Sequence, residues 1–253
     1  MLSVLTDYIF IDENAVDGYI EQIPVEPIKE RKQSKKVSLS LTGPAVEMGE
    51  ETSIRPFTTH EKIQRLIAFL RKANLLAERR PKEMPKHQTP DHRPFVLETM
   101  TAQKIIIPRR HLGNIDGLRG LAIWISEPSE EDFTDEPWKW HGTFLYLTEA
   151  HWDNKPYQEV WSGCSALQAI VNVVNGVQLV LPEPIGNEPF GRWCSDHPIV
   201  KLQALGGTVT SSRTITSLYR KRYITDEQCY TINGQERRVN DLLAYPLFIS
   251  SAL

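Results

Sequence analysis

Residues 161–176 read WSGCSALQAIVNVVNG. Ser162 has the side chain to accept hydrogen bonds from a first helical turn, and Gly176 has the freedom to close a helix in a left-handed conformation. Between them Cys164, Ala166, Leu167, Ala169, Ile170, Val171, Val173 and Val174 are apolar, while Ser165, Gln168, Asn172 and Asn175 form one narrow polar stripe at helical spacing. Such a helix must be covered on most sides. The expectation is an α+β fold in which mixed sheet sections surround a buried central helix over about 163–175.

Outward from that helix, short β-rich runs lie on both sides. Phe95–Met100, Lys104–Ile107, Leu118–Ser126 and Thr143–Thr148 precede it, bounded by Pro108, Gly113, Gly117 and Pro128. After it, Ile199–Leu205 reads as a buried strand ended by Gly206-Gly207. Asn233-Gly234, between Cys229–Ile232 and Gln235–Val239, is a strong two-residue hairpin signal. Tyr245–Ile249 reads as the closing strand.

The amino-terminal part is a smaller strand–helix–linker–helix section. Ser3–Ile11 reads as a strand, and Asp12 as the cap of a helix carrying Ala15, Val16, Tyr19, Ile20 and Ile23. Residues 24–57 are polar and almost free of aromatics, which predicts an excursion or a weak hairpin rather than core. Thr58 and Glu61 then have capping-box spacing, and Ile63, Leu66, Ile67 and Leu70 follow as an amphipathic stripe. Residues 78–94 hold Pro81, Pro85, Pro90 and Pro94. The predicted organisation is therefore 1–80, a Pro-rich linker over 81–94, and a larger α+β section over 95–253.

Composition sets the broad class. Of 253 residues, 40% are hydrophobic and 24% charged, with a net charge of −3 and a pI near 6.2. This is the balance of an ordinary globular chain, with no demand for nucleic acid or an anionic membrane. No basic leader, no apolar run of membrane-spanning length and no N-x-S/T sequon is present, so the expectation is a cytoplasmic protein without a membrane partner. Cys164, Cys194 and Cys229 are odd in number and lack C-x-x-C spacing, which reads as reduced thiols.

Four constellations bear on chemistry. Cys164 opens the helix, where the dipole favours a thiolate, and His197 stands later before a β-rich run. Gly163-Cys164, the apolar helix and Gly176-Val177 resemble papain-like and transglutaminase-like thiol enzymes in outline. That resemblance implies a thiol hydrolase or acyltransferase using Cys164 and His197. The interval between the two is short for papain-like enzymes, and no Asp or Asn stands in the orienting place. Cys194 and His197 form one tight C-x-x-H pair, but a structural zinc site needs two, so neither metal nor cofactor is assigned. Tyr219, Arg220, Lys221, Arg222 and Tyr223 place three cations between two aromatics. That is the binding cluster the sequence singles out, suited to phosphates and stacked bases; the plainer alternative has its aromatics inward and its cations in water. Glu127–Pro137 reads as a solvated acidic loop. Trp138, Trp140, Trp152 and Trp161 crowd near the helix, as the rim of a core does. P-loop, dinucleotide-binding, H-E-x-x-H and nucleophile-elbow motifs are absent.

The strand–Asp–helix opening Tyr8-Ile9-Phe10-Ile11-Asp12, the polar excursion, the helix from Thr58 and the closing Tyr245-Pro246-Leu247-Phe248-Ile249 resemble a group of uncharacterised bacterial proteins. The resemblance implies a bacterial origin and no particular activity. Since no catalytic set is complete, the sequence reads best as an accessory protein that binds a protein partner or larger complex. A thiol enzyme is the alternative, and nucleic-acid binding through residues 219–223 is the third reading.

Overall fold

The computed structural model describes residues 6–24, 28–40, 43–82, 93–113, 117–132, 142–152, 161, 165–176 and 196–252, the side chains of 28–54, 152, 223 and 225–227 excepted. Two compact units emerge, one of residues 1–12 with 74–253 and one of 13–73. They do not part at 81–94 as the prolines suggested. The reason is pairing: the first strand, β1 (Tyr8–Ile11), joins the closing strand of the large sheet, so the amino terminus belongs with the carboxyl-terminal half.

The smaller unit holds α1 (Glu13–Ile20), the paired strands β2 (Ile28–Ser40) and β3 (Gly43–Arg55), and α2 (Thr59–Lys72). Thr58 caps α2: its hydroxyl accepts from the Glu61 N–H while the Glu61 carboxylate accepts from the Thr58 N–H. Ile63, Leu66, Ile67 and Leu70 are the buried stripe. Lys62 Nζ meets Asp17 of α1 at 2.7 Å. The polar excursion is a ribbon in which β2 and β3 pair antiparallel, Ile28 opposite Arg55 through Ser40 opposite Gly43.

The larger unit is built on β4 (Leu76–Ala77), β5 (Phe95–Pro108), β6 (Leu118–Ser126), β7 (Thr143–Trp152), β8 (Thr208–Val209), β9 (Arg213–Ile232) and β10 (Gln235–Ser251), with α3 (Ala166–Asn175) and α4 (Pro198–Ala204). β5 pairs with β6 and β6 with β7, both antiparallel. β7 runs parallel to β10 over Thr143–Leu147. β9 pairs with β10 along most of its length, and its first residues, Arg213–Arg220, also pair with Ala102–Phe95 of β5. These five pairings close on themselves, giving a ring β5–β6–β7–β10–β9. Within the ring, β10 also takes β1 at its edge, and β5 also takes β4 and β8.

Period-two alternation gives the ring two faces. One carries Ile105, Ile107, Leu121, Ile123, Ile125, Phe144, Tyr146 and Leu243 and packs with α3 and Leu202 of α4. The other carries Val96, Met100, Trp124, Leu145, Leu147, Ile215, Tyr219 and Leu242. Five strands enclose a space that side chains alone can fill, so the helix-bearing face is the outer one.

Local chemistry explains the joints. Asn233 and Gly234 have φ of 51° and 76°, the paired positive values of a type I′ hairpin turn between β9 and β10. Pro246, which has no N–H for a ladder, sits where the β10 register slips between Pro246 and Phe248. Gly176 caps α3 with φ of 72°, as its sequence predicts. The amino-terminal cap of α3 is Ser165, whose side chain accepts from the Gln168 N–H; Ser162 lies outside the described residues. Ile199–Leu205, expected as a strand, is instead mostly helix. His197 caps it and Pro198 occupies its first turn, two helix-start signals that outweigh the β-branched pair behind them.

Candidate functional site

The amino end of α3 meets the outer face of the ring at one carboxylate. Asp241 lies on β10 and is completely buried. Tyr230, on β9, donates its hydroxyl to Asp241 Oδ2 at 2.6 Å. Tyr146, on β7, donates to Oδ1 at 3.3 Å. The Leu167 N–H of α3 points to Oδ2 at 3.4 Å, and the Ser165 side chain also hydrogen-bonds to the carboxylate. Four donors from three elements thus converge on one acid. Burial pushes the Asp241 carboxyl up to about 7, against the pull of these donors. Burial, and then the Asp241 charge, hold both tyrosines well above their ordinary range, so they remain donors. The cluster can hold or give up one proton near neutrality. Sealed from solvent, it is not placed to touch a substrate.

Phe144 extends the cluster outward. Its ring stacks with Tyr146 and meets Tyr230 and His197 edge-on, at centroid distances of 6.2, 5.4 and 5.8 Å. His197 Nδ1 accepts from the Ile199 N–H at 3.2 Å, which starts α4. Its Nε2 lies 3.2 Å from Glu127. Both ring nitrogens are therefore committed to holding α4 and the loop after β6. Cys164 and Cys194 lie outside the described residues. Cys229 is disulfide-bonded, which corrects the reading of three reduced thiols and removes the compartment inference drawn from it.

The inner face buries carboxylates differently. Glu149 of β7 accepts from the Trp124 indole N–H and pairs with Lys104 Nζ at 2.8 Å. Lys104 and Arg213 also lie against the Trp124 ring, at 5.1 and 5.5 Å from its centroid. Glu98 of β5 accepts from the Tyr219 hydroxyl at 2.8 Å and faces Arg80 at 3.6 Å. Arg80 belongs to a strap that crosses this end of the ring. Its guanidinium donates to the Ser126 carbonyl and hydroxyl, at 3.0 and 2.7 Å. Thr143 donates to the Pro81 carbonyl and Asn240 to the Lys82 carbonyl.

The basic aromatic cluster therefore divides. Tyr219 is not a surface ring: it is fully buried and spent on Glu98, which corrects its place in the binding set. Arg220 and Arg222 are exposed and Lys221 is half-buried, while the Tyr223 side chain lies outside the described residues. Arg222 sits at a bulge, opposite the step from Leu243 to Ala244. In the acidic loop, Glu127 meets His197, and Asp132 pairs with Lys82 and accepts from the Ser129 hydroxyl. Among the described residues no group of His, Cys, Asp and Glu has the arrangement to hold a metal. Trp161 is buried in the outer-face core, while Trp138 and Trp140 lie outside the described residues.

Asp241, Tyr230, Tyr146 and Arg80 were not singled out by sequence. One signal was available for the first: Asp241 directly precedes the apolar run Leu242-Leu243-Ala244 and follows Val239-Asn240. No helix among the described residues is long and apolar enough to cross a membrane. No family model, curated protein or solved structure matches the chain.

Proposed function

We propose that this chain is an accessory protein that works by binding a macromolecular partner, with the β2–β3 ribbon as its contact arm. The observation that carries the reading is the ribbon's pairing: over 13 residues each, β2 and β3 pair with one another in a two-stranded sheet separate from the large one. At roughly 3.3 Å per residue it extends about 43 Å. A two-stranded ribbon is marginal by itself in water and leaves two strand edges open to pairing. Its charges are biased by strand: β2 carries Lys29, Arg31, Lys32, Lys35 and Lys36 against Glu30, and β3 carries Glu47, Glu50 and Glu51 against Arg55. Among the described residues, the inner face of the ring carries apolar side chains and two ion-paired carboxylates.

The thiol-enzyme alternative needs His197 as a base, and its nitrogens are already engaged. Nucleic-acid contact through the exposed Arg220 and Arg222, without the buried Tyr219, is the third reading and predicts binding that weakens steeply with salt. The test replaces residues 28–55 with a short Gly/Ser turn and compares both chains by cross-linking and mass spectrometry in cells that express them. The expected result is an unchanged melting transition of the larger unit together with loss of the cross-linked partner. Retention of that partner by the deleted chain, or turnover of a substrate by the intact isolated chain, overturns the proposal.

A further inference from the structure

We propose that Asp241 is a proton-operated latch for the amino end of α3: with its proton the helix stays seated on the ring, and without it the first turn opens. The geometry is specific. The carboxylate is fully buried, and every partner named for it is neutral: the Tyr146 and Tyr230 hydroxyls, the Ser165 side chain and the Leu167 N–H. α3 carries no acidic residue in its first turn and no basic residue in its last. From β7 the facing group is Tyr146; from β9 it is Tyr230, with Thr225 opposite in register. Among the described residues, His197 and its partner Glu127 meet the cluster through the Phe144 ring.

An ionised carboxylate held only by neutral donors gains most by reaching water. Opening the first turn of α3 removes two of the four donors, at Ser165 and Leu167, and exposes the acid. The closed form therefore binds the proton more tightly than the open form. The linkage sign follows: the closed state is favoured below the acid's ordinary range, and that advantage is lost as pH rises to about 7, the raised value in the closed protein. Above that pH both forms are ionised and the opening equilibrium no longer changes.

Hydrogen exchange of the Leu167–Ile170 amides, followed on the intact chain from about pH 5 to pH 9, reads this directly. Exchange through local opening has a logarithmic rate that climbs with a slope of about one per pH unit from base catalysis alone. The latch adds a second unit of slope between roughly pH 5 and 6.5 and none above about pH 7.5. Asp241→Asn should give a slope of about one throughout, with amides of β5 serving as the internal reference. Tyr230→Phe removes a donor that favours the ionised form, so its break should move to higher pH, and it decides the matter if the Asn variant does not fold. A slope of about one in the unmodified chain, or the same break in Asp241→Asn, overturns the proposal.

Discussion

The two faces of the ring bury carboxylates by opposite means. On the inner face Glu98 and Glu149 each meet a cation, Arg80 and Lys104. On the outer face Asp241 meets hydroxyls and one backbone N–H. A cation beside an acid ties together the elements that supply the two charges. Neutral donors hold an acid in place but leave it close to the balance between its two states. The inner pairs therefore lock the ring, while the outer acid gives one helix a pH-dependent seat.

The largest expected effect comes from removing an inner cation. Arg80→Ala leaves Glu98 with the Tyr219 hydroxyl and the Arg80 main-chain N–H, and releases the strap from Ser126. Loss of one partner of a buried pair costs about 3–5 kcal/mol. Chemical denaturation should show a drop of that size, and the triple variant Arg80→Met, Glu98→Leu, Tyr219→Phe, which also removes the hydroxyl that Glu98 accepts from, should recover most of it. Equal stability of Arg80→Ala and the unmodified chain would remove the distinction between the faces.

The outer acid should respond to pH instead. Its carboxyl is raised to about 7 in the fold from about 4 in an open chain. The stability it contributes is complete below about pH 4 and is lost as pH rises through 7, for an upper limit of about 4 kcal/mol. Denaturation midpoints measured at pH 5 and pH 8 should differ in that direction, and Asp241→Asn should abolish the difference. A wild-type chain that is more stable at pH 8 would contradict the assignment.

A smaller effect is expected where α3 ends. A Cβ on Gly113 would stand 2.0 Å from the Gly176 nitrogen, and Gly113 donates to the Val174 carbonyl at 2.6 Å. Gly113→Ala has no flexible side chain to displace, only backbone, and should cost about 1–3 kcal/mol by overpacking. If thermal melting shows no loss, the close approach of that loop to the helix end is wrong.

Features set by neighbours in sequence were legible: the Thr58–Glu61 box, the Asn233-Gly234 turn, the Gly176 cap and the span of β6. Each depends on chemistry within a few residues. What depended on distant pairing was not. Nothing near Arg213–Arg220 marks it as the strand that joins β10 to β5 and closes the ring. Phe95–Met100 and Lys104–Ile107 read as two strands because the polar Thr101 and Gln103 interrupt them. In the fold they are one strand that exchanges a β9 neighbour for a β6 neighbour at that point. The basic aromatic cluster misled for a related reason: alternation in a strand sends Tyr219 inward and Arg220 outward, and only pairing on both sides reveals which way is in. Asp241 was passed over because a single acid beside an apolar run gains meaning only when Tyr146 and Tyr230 arrive from other strands.

The smallest predicted effect extends the contrast to the second unit. Glu61, in the first turn of α2, accepts from the Arg55 guanidinium at 2.7 and 2.8 Å and from the Thr58 N–H at 2.9 Å. The Arg55 hydrogen bonds, followed by that of the Thr58 backbone, bring its carboxyl down to about 2. Its sign is opposite to that of Asp241: the contribution is present above about pH 4.5 and is lost as pH falls toward 2. Acid should thus fray the start of α2 under conditions where α3 is seated most firmly. Thr58→Ala removes the hydroxyl half of the box and should cost about 1 kcal/mol, read as faster amide exchange over the first turn of α2. The two helices then respond to acid in opposite directions because one begins at a half-buried acid that Arg55 and the Thr58 N–H hold ionised, and the other at a sealed acid held by neutral donors. If both helices lose protection together on acidification, the environment of these two carboxylates does not govern either helix end.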